Sequence, residues 1–233
     1  MRQLIGDFKA GWTALERSAK QRWTKALAIG VLVSLAVVAG VTLLTRAATS
    51  GGTFPWEREV IERFAASGWM SFHHAIFWQQ LGSSALLMPV ALVGAGIAIR
   101  LRRPLHALSL LLAAFAIKPI VLAGWQLWAR DRPDFIERGL AVPEGLHAFP
   151  SGHVAQTVAL YGLLTAFWIQ RSRSVLERVL AVILLVAVIV IVGAARLRLG
   201  AHWPTDLVAG VVAGGCWGVS LYAALQRAEP GRA

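Results

Sequence analysis

The 233-residue chain is 57% hydrophobic and 15% charged, with a formal net charge of +11. Soluble domains carry roughly 25% charged residues, so polar surface is too sparse here for a water-soluble globule and the bilayer is the expected solvent. A single cysteine, Cys216 in an apolar run, excludes an intrachain disulfide and argues against a cysteine metal site.

In chain order, residues 1–22 place Leu4, Ile5, Phe8, Trp12 and Leu15 at near-helical spacing, which predicts an amphipathic helix lying at the interface. The run Ala26 to Leu44 is too long and too far from the start for a signal-peptide core, so it reads as a retained spanning helix. The stretch Pro55 to Gln80 is mixed in polarity and is expected outside the membrane, as short helices over the outer face. Further apolar runs extend from Leu81 to Ile99, Leu105 to Trp128, Val154 to Ile169, Val179 to Ala195 and Thr205 to Leu225. With about 20 residues needed per span, this predicts an all-α bundle of about six transmembrane helices.

Basic residues orient the bundle. Arg2, Lys9, Arg17, Lys20, Arg22 and Lys25 precede the first span; Arg100, Arg102 and Arg103 follow the second; Arg171, Arg173 and Arg178 follow the fourth; Arg227 and Arg232 follow the last. An even number of spans puts all of them on one side, which the positive-inside rule makes the cytoplasm. Trp23, Trp125, Trp128, Trp168 and Trp203 fall near span ends, where indole rings settle. The expected layout is a cytoplasmic amphipathic segment at 1–25, a membrane domain at 26–226 with an outer loop at 45–80, and a cytoplasmic tail at 227–233. The basic residues suit anionic lipid rather than nucleic acid.

Three polar segments interrupt the apolar pattern, all on the outer side: Arg130-Asp131-Arg132-Pro133, Pro150-Ser151-Gly152-His153, and the stretch from Arg196 through His202 to Asp206. Ser151 suits an N-cap and Gly152 lets a ligand approach the backbone, so the free amides opening the fourth span face an anion. Pro204 fits the first position of a helix. Asp206 then falls near the third, where its carboxylate folds back within reach of the His202 ring. A carboxylate on one ring nitrogen fixes the tautomer and leaves the other as nucleophile or base. Arginine offers phosphate a planar fork.

Arg132-Pro133, Pro150-Ser151-Gly152-His153 and Arg196 with His202 and Asp206 resemble, at matching spacings, the three-part pattern of the type 2 phosphatidic acid phosphatase superfamily, which also includes vanadium haloperoxidases. The resemblance covers about residues 80–226. It implies a membrane bundle around a phosphatase/haloperoxidase-like core, in which His202 attacks phosphorus to form a phosphohistidine and Asp206 orients its ring. It implies that His153 protonates the leaving oxygen and then activates water, while Arg132, Arg196, Ser151 and the Gly152 amide hold the phosphoryl oxygens. No metal or cofactor is implied. The substrate class is a lipid phosphate or diphosphate, with undecaprenyl diphosphate, phosphatidylglycerophosphate, phosphatidate and a lipid A phosphate all open. The small polytopic form and the resemblance point to a bacterial inner membrane, with both termini cytoplasmic and the site on the periplasmic face.

Two positions depart from the pattern. Ala195 stands for a serine, and Trp125 stands for a phosphate-binding lysine. Lys118, seven residues earlier and about 10 Å deeper, is one expected substitute, by snorkelling or a kink at Pro119; pairing with a neighbouring polar group is the alternative. Arg130 is another substitute. Trp125 also motivates a rival reading as a non-catalytic lipid-phosphate binder or transporter, against which the retained His153, His202 and Asp206 argue. A second rival is a lipid phosphotransferase. The ridge Gly210, Gly214 and Gly218 serves close helix packing, either inside the bundle or at a contact between two copies.

Overall fold

The computed structural model describes residues 2–136 and 146–229 of the chain; the end of the expected cytoplasmic tail, 230–233, lies outside them. The described residues fold as α1 (Arg2–Ala14), α2 (Arg17–Ala48), α3 (Pro55–Ala66), α4 (Phe72–Trp78), a 3-10 turn (Gln79–Gly82), α5 (Ser84–Arg100), α6 (Pro104–Phe115), α7 (Ile117–Leu127), α8 (Gly152–Arg171), α9 (Val175–Arg198) and α10 (Pro204–Ala228). Five stretches are long and apolar enough to cross a membrane: Arg17–Ala48, Phe72–Arg100, Pro104–Leu127, Val175–Arg198 and Pro204–Ala228. The remaining expected span, 154–169, forms α8, which has the length but carries His153, Gln156, Thr157, Tyr161 and Thr165. Helix α8 is packed by α6, α7, α9 and α10, so protein rather than lipid receives much of its polarity. The expected count thus resolves into five apolar spans around a more polar central helix.

Other differences have local causes. The third span breaks at Ala116, where Pro119 removes the amide that would bond to the Phe115 carbonyl. The expected interfacial helix at 1–22 stops at Ala14, and Glu16 is extended before α2. Trp12 and Leu15 turn onto a cluster of Trp23, Leu105 and Leu225, and Arg100 pairs with Asp7 at 2.8 Å. Helix α1 therefore packs on the protein's own end. Residues 55–80 contain the short helices α3 and α4, the second of which belongs to the apolar stretch Phe72–Arg100.

The main core gathers Leu87, Leu110, Ile117, Leu160, Trp217 and Leu221. Helix α9 is apolar all round yet buries only Val192 to Arg196. Exposed side chains such as Leu32, Leu44, Val93 and Leu184 are lipid-facing surface. Helix α10 meets α8 through its glycine ridge: a Cβ on Gly210 would lie 2.8 Å from the Ser151 carbonyl oxygen, and one on Gly214 would overlap that of Ala155. The ridge therefore works inside the bundle, locking the starts of α8 and α10 together. Gly214→Val is expected to lower stability by about 1–3 kcal/mol or more by overpacking, read as the melting temperature in detergent. Gly215→Ala, whose Cβ would meet nothing nearer than 4.0 Å, is the matched control and should be near neutral.

Candidate active site

The chain's polar groups converge at one end of the bundle, where α7 ends and α8 and α10 begin. Asp206 is the third residue of α10, and its carboxylate folds back so that Oδ2 accepts from the Trp203 amide at 2.7 Å. The neighbouring Ser151 amide donates to the Asp206 carbonyl at 3.0 Å. One backbone bond thus ties the start of α8 to the start of α10. The Trp203 indole donates to the Asp131 carbonyl at 2.8 Å, adding the segment after α7.

His202 is 1% exposed. Its Nδ1 lies 2.9 Å from the Ala148 carbonyl and 3.5 Å from Asp206 Oδ2. A carbonyl only accepts, so Nδ1 carries the proton and Nε2 keeps its lone pair. Asp206 lies at the ring, as its position near the helix start suggests, but the direct hydrogen bond comes from the backbone. Burial holds the His202 pKa well below the ordinary 6.5, and the Arg132 and Arg196 guanidiniums push the same way against the Ala148 bond. The ring is therefore neutral over a wide range.

That shift has a linkage consequence. Below pH 6.5 the unfolded histidine takes up a proton that the folded one does not, so its contribution to stability falls as pH drops through 6.5 and is flat above it. Between about pH 7.5 and 5.5, wild-type protein should lose melting temperature more steeply than His202→Asn. Equal slopes would contradict a neutral, buried ring.

Behind Asp206 lies a charge network the sequence reading did not find. Glu57, third residue of α3, is fully buried. Its Oε2 accepts from the Phe54 amide at 2.9 Å and Arg130 Nη2 at 2.5 Å, and its Oε1 from the Thr205 hydroxyl at 2.6 Å. Arg130 Nη1 reaches Asp206 Oδ1 at 2.6 Å. The guanidinium lies between the Trp128 and Trp203 rings, 4.8 and 5.4 Å from their centroids. Arg130, expected as a substitute phosphate ligand, gives its two terminal nitrogens to carboxylates here and holds Asp206 in place. The signal that points to Glu57 is Pro55 at the first helical position with a glutamate at the third.

Arg132 donates to the carbonyls of Leu146, Ala201 and His147 at 3.2, 2.7 and 3.0 Å, lacing the residues just before the second polar segment to the third. Arg196 is buried at the end of α9 and is held by Gln79 of the 3-10 turn, another partner the sequence reading lacked. Ser151 occupies the N-cap of α8, but its hydroxyl makes no cap bond and has no partner among the described residues. His153 sits in the first turn of α8, within electrostatic range of Arg196, His202 and Arg132. Gly152 precedes it, with Val121 and Trp125 the nearest groups to its open side.

Trp125 fills the departing position by donating from its indole to the Pro150 carbonyl at 3.1 Å, bracing the loop that carries Ser151. Lys118 is exposed on α7, whose buried face is Ile117, Ile120, Val121 and Gly124. It makes no hydrogen bond or ion pair among the described residues. The arrangement therefore offers a neutral buried imidazole with a fixed tautomer, a second histidine nearby, two guanidiniums and the open start of a helix. That combination suits in-line attack on a phosphoryl group.

Comparison with known proteins finds one family and two similar proteins. The model of the PAP2 superfamily matches residues 104–230. Phosphatidylglycerophosphatase B of Bacillus subtilis (strain 168) is 31% identical over 133 residues, covering 56% of this chain and 63% of that protein, so the match spans under two thirds of the relative. A crystal structure of a transmembrane PAP2 type phosphatidylglycerolphosphate phosphatase from Bacillus subtilis superposes with a TM-score of 0.54 at 22% identity. That likeness covers 84% of this chain and 92% of the other, and it is one of fold.

Proposed function

The chain belongs to the PAP2 superfamily, and from that premise we propose that it is an integral membrane lipid phosphatase cleaving a phosphomonoester or diphosphate of a membrane lipid. The observation that carries this reading is His202, neutral, buried and held at Nδ1 by Ala148 so that Nε2 keeps its lone pair. Nε2 attacks phosphorus, the P–O bond to the lipid breaks, and His153 gives its proton to the leaving oxygen. Water, deprotonated by His153, then attacks the phosphohistidine and releases phosphate. Arg132, Arg196, the Ser151 hydroxyl and the amides opening α8 take the developing negative charge. The chemistry is metal-independent, because the cationic groups needed belong to the chain.

We read that site as facing the periplasm from a bacterial inner membrane, with both termini cytoplasmic, a reading supported by the positive residues at the opposite end of the bundle. A site at this level admits a headgroup while the tails stay in the bilayer. Among candidate lipids phosphatidylglycerophosphate comes first, because the similar Phosphatidylglycerophosphatase B of Bacillus subtilis carries that specificity in its name.

Purified protein in detergent should release phosphate from phosphatidylglycerophosphate faster than from phosphatidate, undecaprenyl diphosphate or a lipid A phosphate, undiminished by a chelator. Fastest release from another lipid would transfer the substrate assignment to it. No release from any of them by folded protein would favour the binder reading, motivated by the neutral Trp125 at the lysine position. Transfer of label to an added acceptor lipid instead of water would make the protein a phosphotransferase.

A further inference from the structure

Inside the site stands a side chain whose own donor the reaction above leaves unused. Gln79 opens the 3-10 turn Gln79–Gly82 and is 2% exposed. The turn is wedged between α8 and α9: a Cβ on Gly82 would lie 2.7 Å from Val192 Cγ1, 2.8 Å from the Thr157 hydroxyl oxygen and 3.2 Å from the His153 carbonyl oxygen. The Tyr161 hydroxyl braces it, donating to the Leu81 carbonyl at 3.2 Å. One end of the turn thus abuts the His153 backbone, and the other meets Arg196, which donates from Nη1 to Gln79 Oε1. A guanidinium only donates, so the amide oxygen faces it and the amide nitrogen is directed elsewhere. That Nε2 is buried and has no hydrogen-bond partner among the described residues; the same holds for Arg196 Nε and the Ser151 hydroxyl. Buried donors in that state favour an incoming acceptor.

We propose that Gln79 is a phosphoryl-binding residue, its Nε2 donating to an oxygen of the group that Arg196 and Ser151 hold. The inference rests on the phosphatase reading, which says what that group is. Trp125 gives its indole N–H to the Pro150 carbonyl, so it has none for a phosphoryl oxygen; Gln79 adds a donor from the 3-10 turn. A neutral amide also suits the neighbour it holds. Arg130 meets two carboxylates, whereas the side-chain partner of Arg196 among the described residues is this amide. Arg196 is thus positioned without losing its charge, and both side chains meet the phosphoryl oxygens preorganised.

Orthovanadate takes the five-coordinate shape of a phosphoryl group in transfer, and its binding needs neither lipid nor turnover. Titrated calorimetrically into the full chain in detergent, it should bind Gln79→Met about 10–100-fold more weakly than wild type, the scale of one hydrogen bond to a charged group. Gln79→Glu keeps an acceptor for Arg196, and with it the fold, but has no N–H when ionised; it should lose at least as much. Gln80→Met, at the exposed neighbour in the same turn, should bind as wild type does. Nuclear magnetic resonance of isotope-labelled glutamine side chains separates a ligand from a mere support. The signal missing from either Gln79 variant identifies Nε2, and saturating orthovanadate should move it downfield; a Gln79 that only holds Arg196 would leave it in place. An unmoved signal, wild-type affinity in both Gln79 variants, or no orthovanadate binding by wild-type protein would overturn the proposal. Gln79-dependent binding without turnover of any lipid would count against the phosphatase reading alone, and turnover with Gln79-independent binding against this proposal alone.

Discussion

Arg130→Met is expected to destabilise the protein by about 3–5 kcal/mol, the scale for removing one member of a buried ion pair. The reason is what stays behind. Glu57 and Asp206 are both fully buried, and each gives one oxygen to the same guanidinium. Without it, two carboxylates share a site with no countercharge. A buried pair is itself weak evidence of net stabilisation, because desolvation offsets much of the attraction. The asymmetry lies in breaking it. Glu57→Gln is therefore expected to cost less than Arg130→Met, since Arg130 keeps Asp206 and the amide still accepts from Thr205. The check is the melting temperature of both variants in detergent, followed by activity below the transition. A near-wild-type Arg130→Met protein would mean that the network does not hold Asp206 in place.

The second large effect concerns chemistry. His202→Ala is expected to lower kcat by about 10⁴-fold or more, the scale on which a nucleophile's removal acts elsewhere. Arg132, Arg196 and the start of α8 stay in place, so KM should move far less than kcat. His153→Ala should cost about 10²–10⁴-fold, as for loss of a general acid–base group. A His202→Ala protein that retained substantial turnover would remove the imidazole from the role of nucleophile.

Much of the fold was legible because the bilayer imposes a length and an apolar composition that few other environments do. Helix α8 shows the limit: its length was read, but the cause of its polarity is that other helices surround it, which no single run of residues displays. Helix α2 runs from Arg17 to Ala48 rather than Ala26 to Leu44, because Lys20, Arg22 and Lys25 are good helix formers and polarity alone does not end a helix. The break at Ala116 had its cause in view, Pro119.

At the site, the residue types that carry phosphate chemistry stood out against an apolar background. What did not stand out was their support. The group at His202 Nδ1 is the Ala148 carbonyl, and a backbone acceptor has no side-chain signature. Glu57 sits beside Arg58, Glu59, Glu62 and Arg63 in a helix that reads as a solvated cap, and only the fold shows that this one carboxylate turns inward. Gln79, which holds Arg196 across 117 positions of sequence, is equally invisible in a linear reading.

The most direct test of the account is to trap the intermediate. Protein carrying His153→Ala, which should slow release of the phosphoryl group, is mixed with phosphatidylglycerophosphate radiolabelled in its terminal phosphate, quenched rapidly, and mapped. The predicted result is an acid-labile, alkali-stable label on His202 that is lost when His202 is replaced as well. Hydrolysis of that lipid with the label on another residue, or on none, would contradict it.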